Sequence, residues 1–293
     1  MDITLFLDKI KLALQKRTGS AQKGSGRSYE KWKAKGHIKE PLVTFVVESH
    51  NKSLQVCHIL PALRMFKDSE IIVIDDGSSL EHTQRLSTAL TGANEFMVRA
   101  NDLYENIMYD KCIRMSNGRY IALLQDDDDI RDTKWVTRAI ELFRKYPDMA
   151  ILGGWDARRL HFNMDEHGGK GYANEDVSHG DFCFAMSVNR APMWINKELF
   201  REYLHHIDYS FTPFQSDDFE LCMRAWLKGL KVGWYKLHFP SLSVGGMRLY
   251  NNSFAQEMTR RNAEKLYNLY ADKEEKILSL VDKANKELSK YVD

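Results

Sequence analysis

The chain has 293 residues, 43% of them hydrophobic and 28% charged, which is enough apolar material for a full globular core. Its formal net charge of +1 gives no electrostatic footprint for nucleic acid. Cys57, Cys112, Cys183 and Cys222 are widely spaced with no Cys-X-X-Cys pair, which excludes a disulfide frame or zinc site and reads as small buried hydrophobes in a reducing compartment.

Residues 1–40 carry ten Lys/Arg against four Asp/Glu. Ile3, Leu5, Phe6, Ile10, Leu12 and Leu14 alternate there with Lys9, Lys11, Lys16 and Arg17, the pattern of a basic amphipathic helix. It reads as a solvated arm, with peripheral contact to an anionic inner membrane face as the sharper alternative. Asp2 and Asp8 break any signal-peptide pattern, and no apolar run approaches the ~20 residues of a membrane span, so a cytoplasmic protein is expected. Residues 18–28 are Gly/Ser-rich and read as a linker.

After Pro41, β-branched and aromatic residues at 43–47 predict a strand, and 53–66 a helix. Strands at 71–74 and 96–98 follow, separated by a helix at 81–90; then come a helix at 103–116 and a short apolar strand at 120–124. Strands alternating with helices at this spacing predict an α/β, doubly wound, mostly parallel sheet with its strand ends along one rim. Residues 135–146 predict a helix stopped by Pro147, and 151–153 a strand. Residues 163–180 are rich in Gly, Asn, Asp and His without periodicity and are expected to form a mobile lid. A strand at 182–188, a helix begun by Asn196, a helix from 217 to 228 stopped by Gly229 and a strand at 231–235 complete this region. Two helices, 254–270 and 272–291, carry apolar stripes suited to packing on the body or on a second copy of the chain. The expected division is an N-terminal arm (1–40), a central α/β domain (41–250, in two halves divided near 130) and C-terminal helices (251–293).

Three acidic turns mark this pattern: Asp75-Asp76-Gly77-Ser78, Asp126-Asp127-Asp128-Asp129 and Asp217-Asp218. The first two end strands, at the edge where open α/β sheets bind ligands; the third opens a helix. Adjacent carboxylates repel, which is tolerable in water or around a cation, and oxygen-only ligands suit Mg²⁺ or Mn²⁺. Taken singly, such turns are equally solvated loops or helix caps. No Gly-X-Gly-X-X-Gly follows a strand, which argues against a dinucleotide dehydrogenase.

In this order and spacing the motifs resemble the family-two glycosyltransferases of GT-A fold, over residues 41–250. Residues 43–51 look like the family's first strand and nucleotide loop, with Glu48 and His50 in place of the usual Pro and Tyr. Residues 70–79 are similar to its second-strand motif, and 117–128 to the strand carrying its Asp-X-Asp metal motif, with Gln125 where the first Asp commonly stands. Asp217-Asp218, with Leu221, Arg224 and Gly229, looks like its catalytic acidic pair. The resemblance implies an inverting transfer from a UDP- or dTDP-sugar to a hydroxyl of a glycan or lipid-linked acceptor, with Mn²⁺ or Mg²⁺ as cofactor. It implies Asp127, supported by Asp128, as metal ligand, with Asp126 nearer the ribose or donor sugar. His238, near Gly245-Gly246, is a further metal or diphosphate contact by the same likeness. Asp75 or Asp76 would accept from the base's imide N–H, and Ser49 would complete the nucleoside pocket. Asp218 would take the acceptor's proton, with Asp217 positioning it or binding the acceptor.

Trp194, Trp155 and Tyr172 are candidates to stack on sugar rings, Trp194 first, against core packing as the alternative. His161, His167, His179 and Arg99 read as surface residues. Two other functions compete: a sugar-1-phosphate nucleotidyltransferase on a related scaffold, which needs a Gly-rich basic loop that Glu48-Ser49-His50-Asn51 does not provide, and a non-catalytic nucleotide- or glycan-binding module.

Overall fold

The computed structural model describes residues 7, 10, 14, 30, 31, 33–190, 192–242 and 252–289. The arm and linker expected within 1–40 lie almost wholly outside these residues, as does Gly245-Gly246.

The first half follows from its apolar runs. Strands β1 (Val43–Ser49), β2 (Ser69–Asp76), β3 (Glu95–Ala100) and β4 (Tyr120–Gln125) pair in parallel in the order β3-β2-β1-β4. Helices α1 (Ser53–Leu63), α2 (Leu80–Ala89) and α3 (Tyr104–Met115) make the crossovers. β1, β2 and β4 are buried on both faces, which is why Phe45-Val46-Val47, Ile71-Ile72-Val73-Ile74 and Ile121-Ala122-Leu123-Leu124 read as continuous apolar runs. Register pairs Ser49 with Asp75 and Glu48 with Gln125, so the expected acidic turns of β2 and β4 flank the end of β1 on one rim.

The second half holds α4 (Lys134–Lys145), β5 (Met149–Gly153), β6 (Ala157–Met164), β7 (Lys170–Asp176), β8 (Phe182–Phe184), β9 (Ser187–Val188) and β10 (Met193–Asn196), then α5 (Asp217–Leu227), β11 (Lys231–Tyr235), α6 (Asn252–Tyr270) and α7 (Glu274–Ser289). The large sheet runs β3-β2-β1-β4-β10-β5-β11-β8. One sheet therefore takes strands from both halves of the α/β region.

β10 is a strand that its four residues do not announce. It enters antiparallel between β4 and β5, with Trp194 opposite Ala122 on one side and Leu152 on the other. This corrects the expectation that Trp194 stacks on an acceptor. Its indole is 0% exposed, packs on Trp135 at 5.2 Å and donates its N–H to Tyr235 Oη at 3.1 Å.

The lid expected over 163–180 is instead largely a hairpin. β6 and β7 pair antiparallel from Arg158/Asp176 to Met164/Lys170, and β6 also pairs with β9. Its turn is closed by Asp165, whose carboxylate accepts from the backbone N–H groups of His167 and Gly169 at 2.9 and 2.7 Å, with Gly168 at φ 80°. The strand expected over 182–188 divides between the two sheets as β8 and β9.

The apolar stripes of α6 and α7 close on the same chain, with Leu266, Tyr270, Ile277, Val281 and Ala284 buried. Asn285 bonds both the N–H and the carbonyl of Phe184, at 2.9 and 2.8 Å, and Tyr270 Oη donates to Glu220 at 2.8 Å. All four cysteines are free, three of them buried. Among the described residues no helix is long and apolar enough to cross a membrane.

At the rim opposite the acidic turns, Gly118 fixes how β4 enters the sheet. Its N–H donates to Thr44 Oγ1 at 2.9 Å, and Glu70 accepts from Asn117 Nδ2 at 2.7 Å and from Thr44 Oγ1 at 2.8 Å. A Cβ on Gly118 would meet Thr44 N at 2.4 Å and Val43 C at 2.6 Å, both backbone atoms that cannot rotate away. Gly118→Ala is therefore expected to lower stability by at least ~1–3 kcal/mol, the usual cost of overpacking. Urea denaturation checks this, and an unchanged midpoint would contradict so close an approach.

Candidate active site

The rim holds a cavity of about 540 Å³. The end of β4 supplies one side, with Gln125, Asp127 and Asp128; the start of α5 supplies another, with Asp217 and Asp218. The second and third acidic turns thus meet at one cavity, because a strand end and a helix start are brought together across the sheet edge.

The four acids after β4 have four different fates. Asp126 is paired with Lys52 at 3.3 Å; burial pushes its carboxyl up to about 6 against the pull of that lysine. Asp127 lines the cavity and accepts from Ser241 Oγ through Oδ2 at 3.1 Å. Asp128 is 5% exposed and accepts from Gln125 N–H at 3.0 Å; burial, with the neighbouring charges of Asp127 and Asp126, pushes it up to about 7. Asp129 turns away to Arg131 and to His58 Nε2 at 3.1 Å.

The first acidic turn stands apart from the other two. Asp75 and Asp76 are both 0% exposed. Asp75 accepts from Ser78 N–H at 3.3 Å and Thr83 Oγ1 at 2.7 Å; Asp76 accepts from Leu103 and Tyr104 N–H at 2.9 and 2.7 Å. These carboxylates brace the loops after β2 and β3. Neither lines the cavity with Asp127 and Asp218, and Asp75 also faces Arg99 of β3 at 3.7 Å. Ser49, between them and β4, is buried with its Oγ lacking a hydrogen-bond partner. Its neighbour Glu48 has a buried, unpartnered Oε2, and desolvation followed by the charges of Glu105 and Asp76 raises its carboxyl well above the usual range.

Asp217 and Asp218 open α5, where acidic side chains complement the helix dipole. Asp217 is 0% exposed and paired with Arg190, whose guanidinium also reaches Glu105 at 3.1 Å and lies 5.0 Å over the ring of Tyr109. Asp217 Oδ1 has no hydrogen-bond partner. Asp218 is half-buried and accepts from the N–H of Phe219 at 2.9 Å. Burial pushes its carboxyl up to about 6, with Arg190 pulling down and Asp217 pushing up. A carboxylate in that state at neutral pH is a competent proton acceptor.

Of the aromatic candidates, Trp155 and Tyr172 line the cavity and Trp194 does not. His238 stacks on Trp155 at 4.2 Å but lines a neighbouring cleft with Arg131, Lys134 and Lys236, apart from Asp127. Glu105 and Arg190 were not legible as site residues; a glutamate in a helix and a lone arginine before Ala-Pro carry no pattern.

No group of three or more His, Cys, Asp or Glu converges as a metal site among the described residues. The oxygen donors that face the cavity, Asp127 with Asp128 beside it, still fit a hard divalent ion. Mg²⁺-type sites commonly use one or two carboxylates and take their remaining ligands from substrate phosphates and water.

The sequence model of the family described as Glycosyl transferase family 2 matches residues 44–230. Among solved structures, the chain is similar to a mannosyltransferase from Pyrobaculum calidifontis in complex with GDP-Man and Mn²⁺, with a TM-score of 0.53 at 12% identity over 83% of this chain and 70% of that one. It is also similar to S. aureus TarS 1–349, with a TM-score of 0.48 at 13% identity over 66% of this chain. It spans 60% of that TarS chain. At 12% identity the likeness to the mannosyltransferase is one of fold. No curated protein sequence matches the chain.

Proposed function

The chain belongs to glycosyl transferase family 2, and on that premise we propose that it is a glycosyltransferase that moves a sugar from a UDP- or dTDP-sugar to a hydroxyl of a glycan or lipid-linked acceptor, inverting the anomeric centre. The observation that carries this reading is the shared cavity: Asp127 and Asp128 at the end of β4, Asp217 and Asp218 at the start of α5.

The acceptor hydroxyl is a poor nucleophile at neutral pH, and Asp218 takes its proton as the oxygen attacks the anomeric carbon. The carbon–oxygen bond to the diphosphate breaks in the same displacement, and the leaving group departs toward the β4 side. When bound, Mn²⁺ or Mg²⁺ held by Asp127 supplies Lewis-acid charge to that leaving group, a contribution of several kcal/mol. Lys52 pairs with Asp126, the carboxylate we assign to the ribose or donor sugar. Asp217, locked to Arg190, fixes the first turn of α5 so that Asp218 faces the cavity. Asp75 and Asp76 shape the nucleoside pocket through the loops they brace.

A thermal-shift panel of UDP, dTDP, GDP, CDP and ADP, each with and without Mn²⁺, tests the donor side. One uracil or thymine nucleotide is expected to raise the midpoint in a metal-dependent way. A ligand at about 100 times its Kd adds about 2.7 kcal/mol to the folded state. Asp127→Ala should erase the metal dependence. No shift with any of the five would remove the donor assignment, and a shift indifferent to Mn²⁺ would remove the metal.

A further inference from the structure

Helix α6 lies beyond the segment that matches the family, yet it reaches the catalytic cavity. Thr259 and Ala263, about one turn apart, line the cavity on this helix. Between them Asn262 is 0% exposed, and its amide nitrogen donates to the carbonyls of Phe211, Phe214 and Gln215 at 2.8, 2.7 and 3.0 Å. Lys265 Nζ adds a bond to the carbonyl of Ser210 at 2.7 Å, and Arg261 bonds that of Thr212. The loop so held runs into Gln215 and Ser216, at φ 80° and 64°, and directly into Asp217 and Asp218.

The hairpin completes the same wall. β7 packs on α6 and brings Tyr172 and Asn174 to the cavity. Tyr172 Oη hydrogen-bonds Ser216 Oγ at 2.7 Å, and its ring meets that of Phe219 at 5.8 Å. This wall, formed by Tyr172, Asn174, Gln215, Phe219, Thr259 and Ala263, offers aromatic faces, amides, hydroxyls and methyl groups, with no ionisable carboxylate or cation among them. Such a set matches a neutral sugar, which presents C–H faces to rings and hydroxyls to amides. It adjoins Asp218, whereas the carboxylates assigned to the diphosphate belong to the end of β4.

We infer that α6 and β7 form the acceptor subsite, that it takes a neutral pyranose end, and that the small side chain of Ala263 leaves the room for it. The inference rests on the proposed transfer, since it takes the Asp218 side of the cavity as the acceptor side. Asn262 is a positioning residue here, tying the subsite to the loop that carries the base.

Saturation-transfer NMR with a panel of methyl glycosides (β-glucoside, β-galactoside, α-mannoside and N-acetyl-β-glucosaminide) reads the subsite without turnover. At least one is expected to bind wild type and Asp127→Ala alike, and to lose at least about tenfold in affinity in Ala263→Trp. A cooperative melt shows that the variant is folded; if Ala263→Trp does not melt cooperatively, Ala263→Leu carries the test with the same expected loss. No sugar signal in wild type, or undiminished binding in the folded Ala263 variant, would overturn the inference. A protein that shifts with UDP and Mn²⁺ yet gives no sugar signal loses the acceptor subsite and keeps the donor reading. One that binds glycosides through Ala263 but shifts with no nucleotide loses the donor reading and keeps a sugar site.

Discussion

Asp218→Asn is expected to lower kcat by about 10²–10⁴-fold, the usual worth of a general base, while the nucleotide-induced thermal shift survives. The amide keeps the shape and cannot take a proton. Nucleoside-diphosphate release in the presence of acceptor measures the loss, and a wild-type kcat would remove Asp218 from the role. The pH dependence has a definite sign. Asp218 works as a base only when ionised, so the wild-type rate should climb below about 6 and level off above it, whereas the residual rate of the variant lacks that limb. Stability moves the opposite way. The folded carboxyl, at about 6, holds its proton more tightly than the same group in the unfolded chain, near the ordinary aspartate value of 3.8. Stability is therefore lost as pH rises through that window, and the loss is complete above it. Asp218→Asn, always neutral, should be more stable than wild type at pH 8 by on the order of 2 kcal/mol, with the gap closing toward pH 4. A variant no more stable than wild type at pH 8 would discount burial as the source of the shift.

Arg190→Ala is the second large effect, and it falls on stability first. The arginine side chain is 6% exposed and supplies the positive charge facing both Asp217 and Glu105. Removing one partner of a buried pair leaves the other charge without compensation, at a typical cost of about 3–5 kcal/mol. Asp217 is poorly placed to absorb the change, because its Oδ1 already lacks a hydrogen bond. Arg190 also pulls the Asp218 carboxyl downward, so its loss should move the acid limb of the rate profile to higher pH. Arg190→Lys restores a charge without the planar fork and should recover only part of the stability. Urea denaturation separates the three proteins; a loss below ~1 kcal/mol for Arg190→Ala would mean that the pair is not ionised.

The sequence disclosed the scaffold where burial writes itself into composition. β1, β2 and β4 are runs of Val, Ile, Leu and Phe because both faces are covered, and α1 to α5 were placed to within a few residues. β10 escaped because four residues between a proline and a helix start have no measurable period, and what makes them a strand is the gap between β4 and β5. The hairpin escaped because β7 shows solvent most of its length, so Gly, Asn, Glu and Asp there imitate a loop. In the site, acid clusters pointed to the right edges but not to the direction of each side chain. Asp75 and Asp127 stand at the ends of similar strands; one is fully buried and the other lines the cavity. Thr259 and Ala263 had no signal at all, since a threonine and an alanine in a helix acquire meaning only from what the helix is packed against.

The antiparallel β10 has a consequence for how the molecule is made. A nascent chain that has emerged only as far as β4 holds four parallel strands whose inner edge, the backbone of Ile121 to Leu123, has no neighbour until residue 193 and beyond leave the ribosome. An unpaired, flat, apolar edge is a template for association with other chains. Expressed alone, residues 41–130 should precipitate instead of behaving as a nucleotide-binding unit, and chaperone demand during synthesis should ease once the segment carrying Trp194 is out.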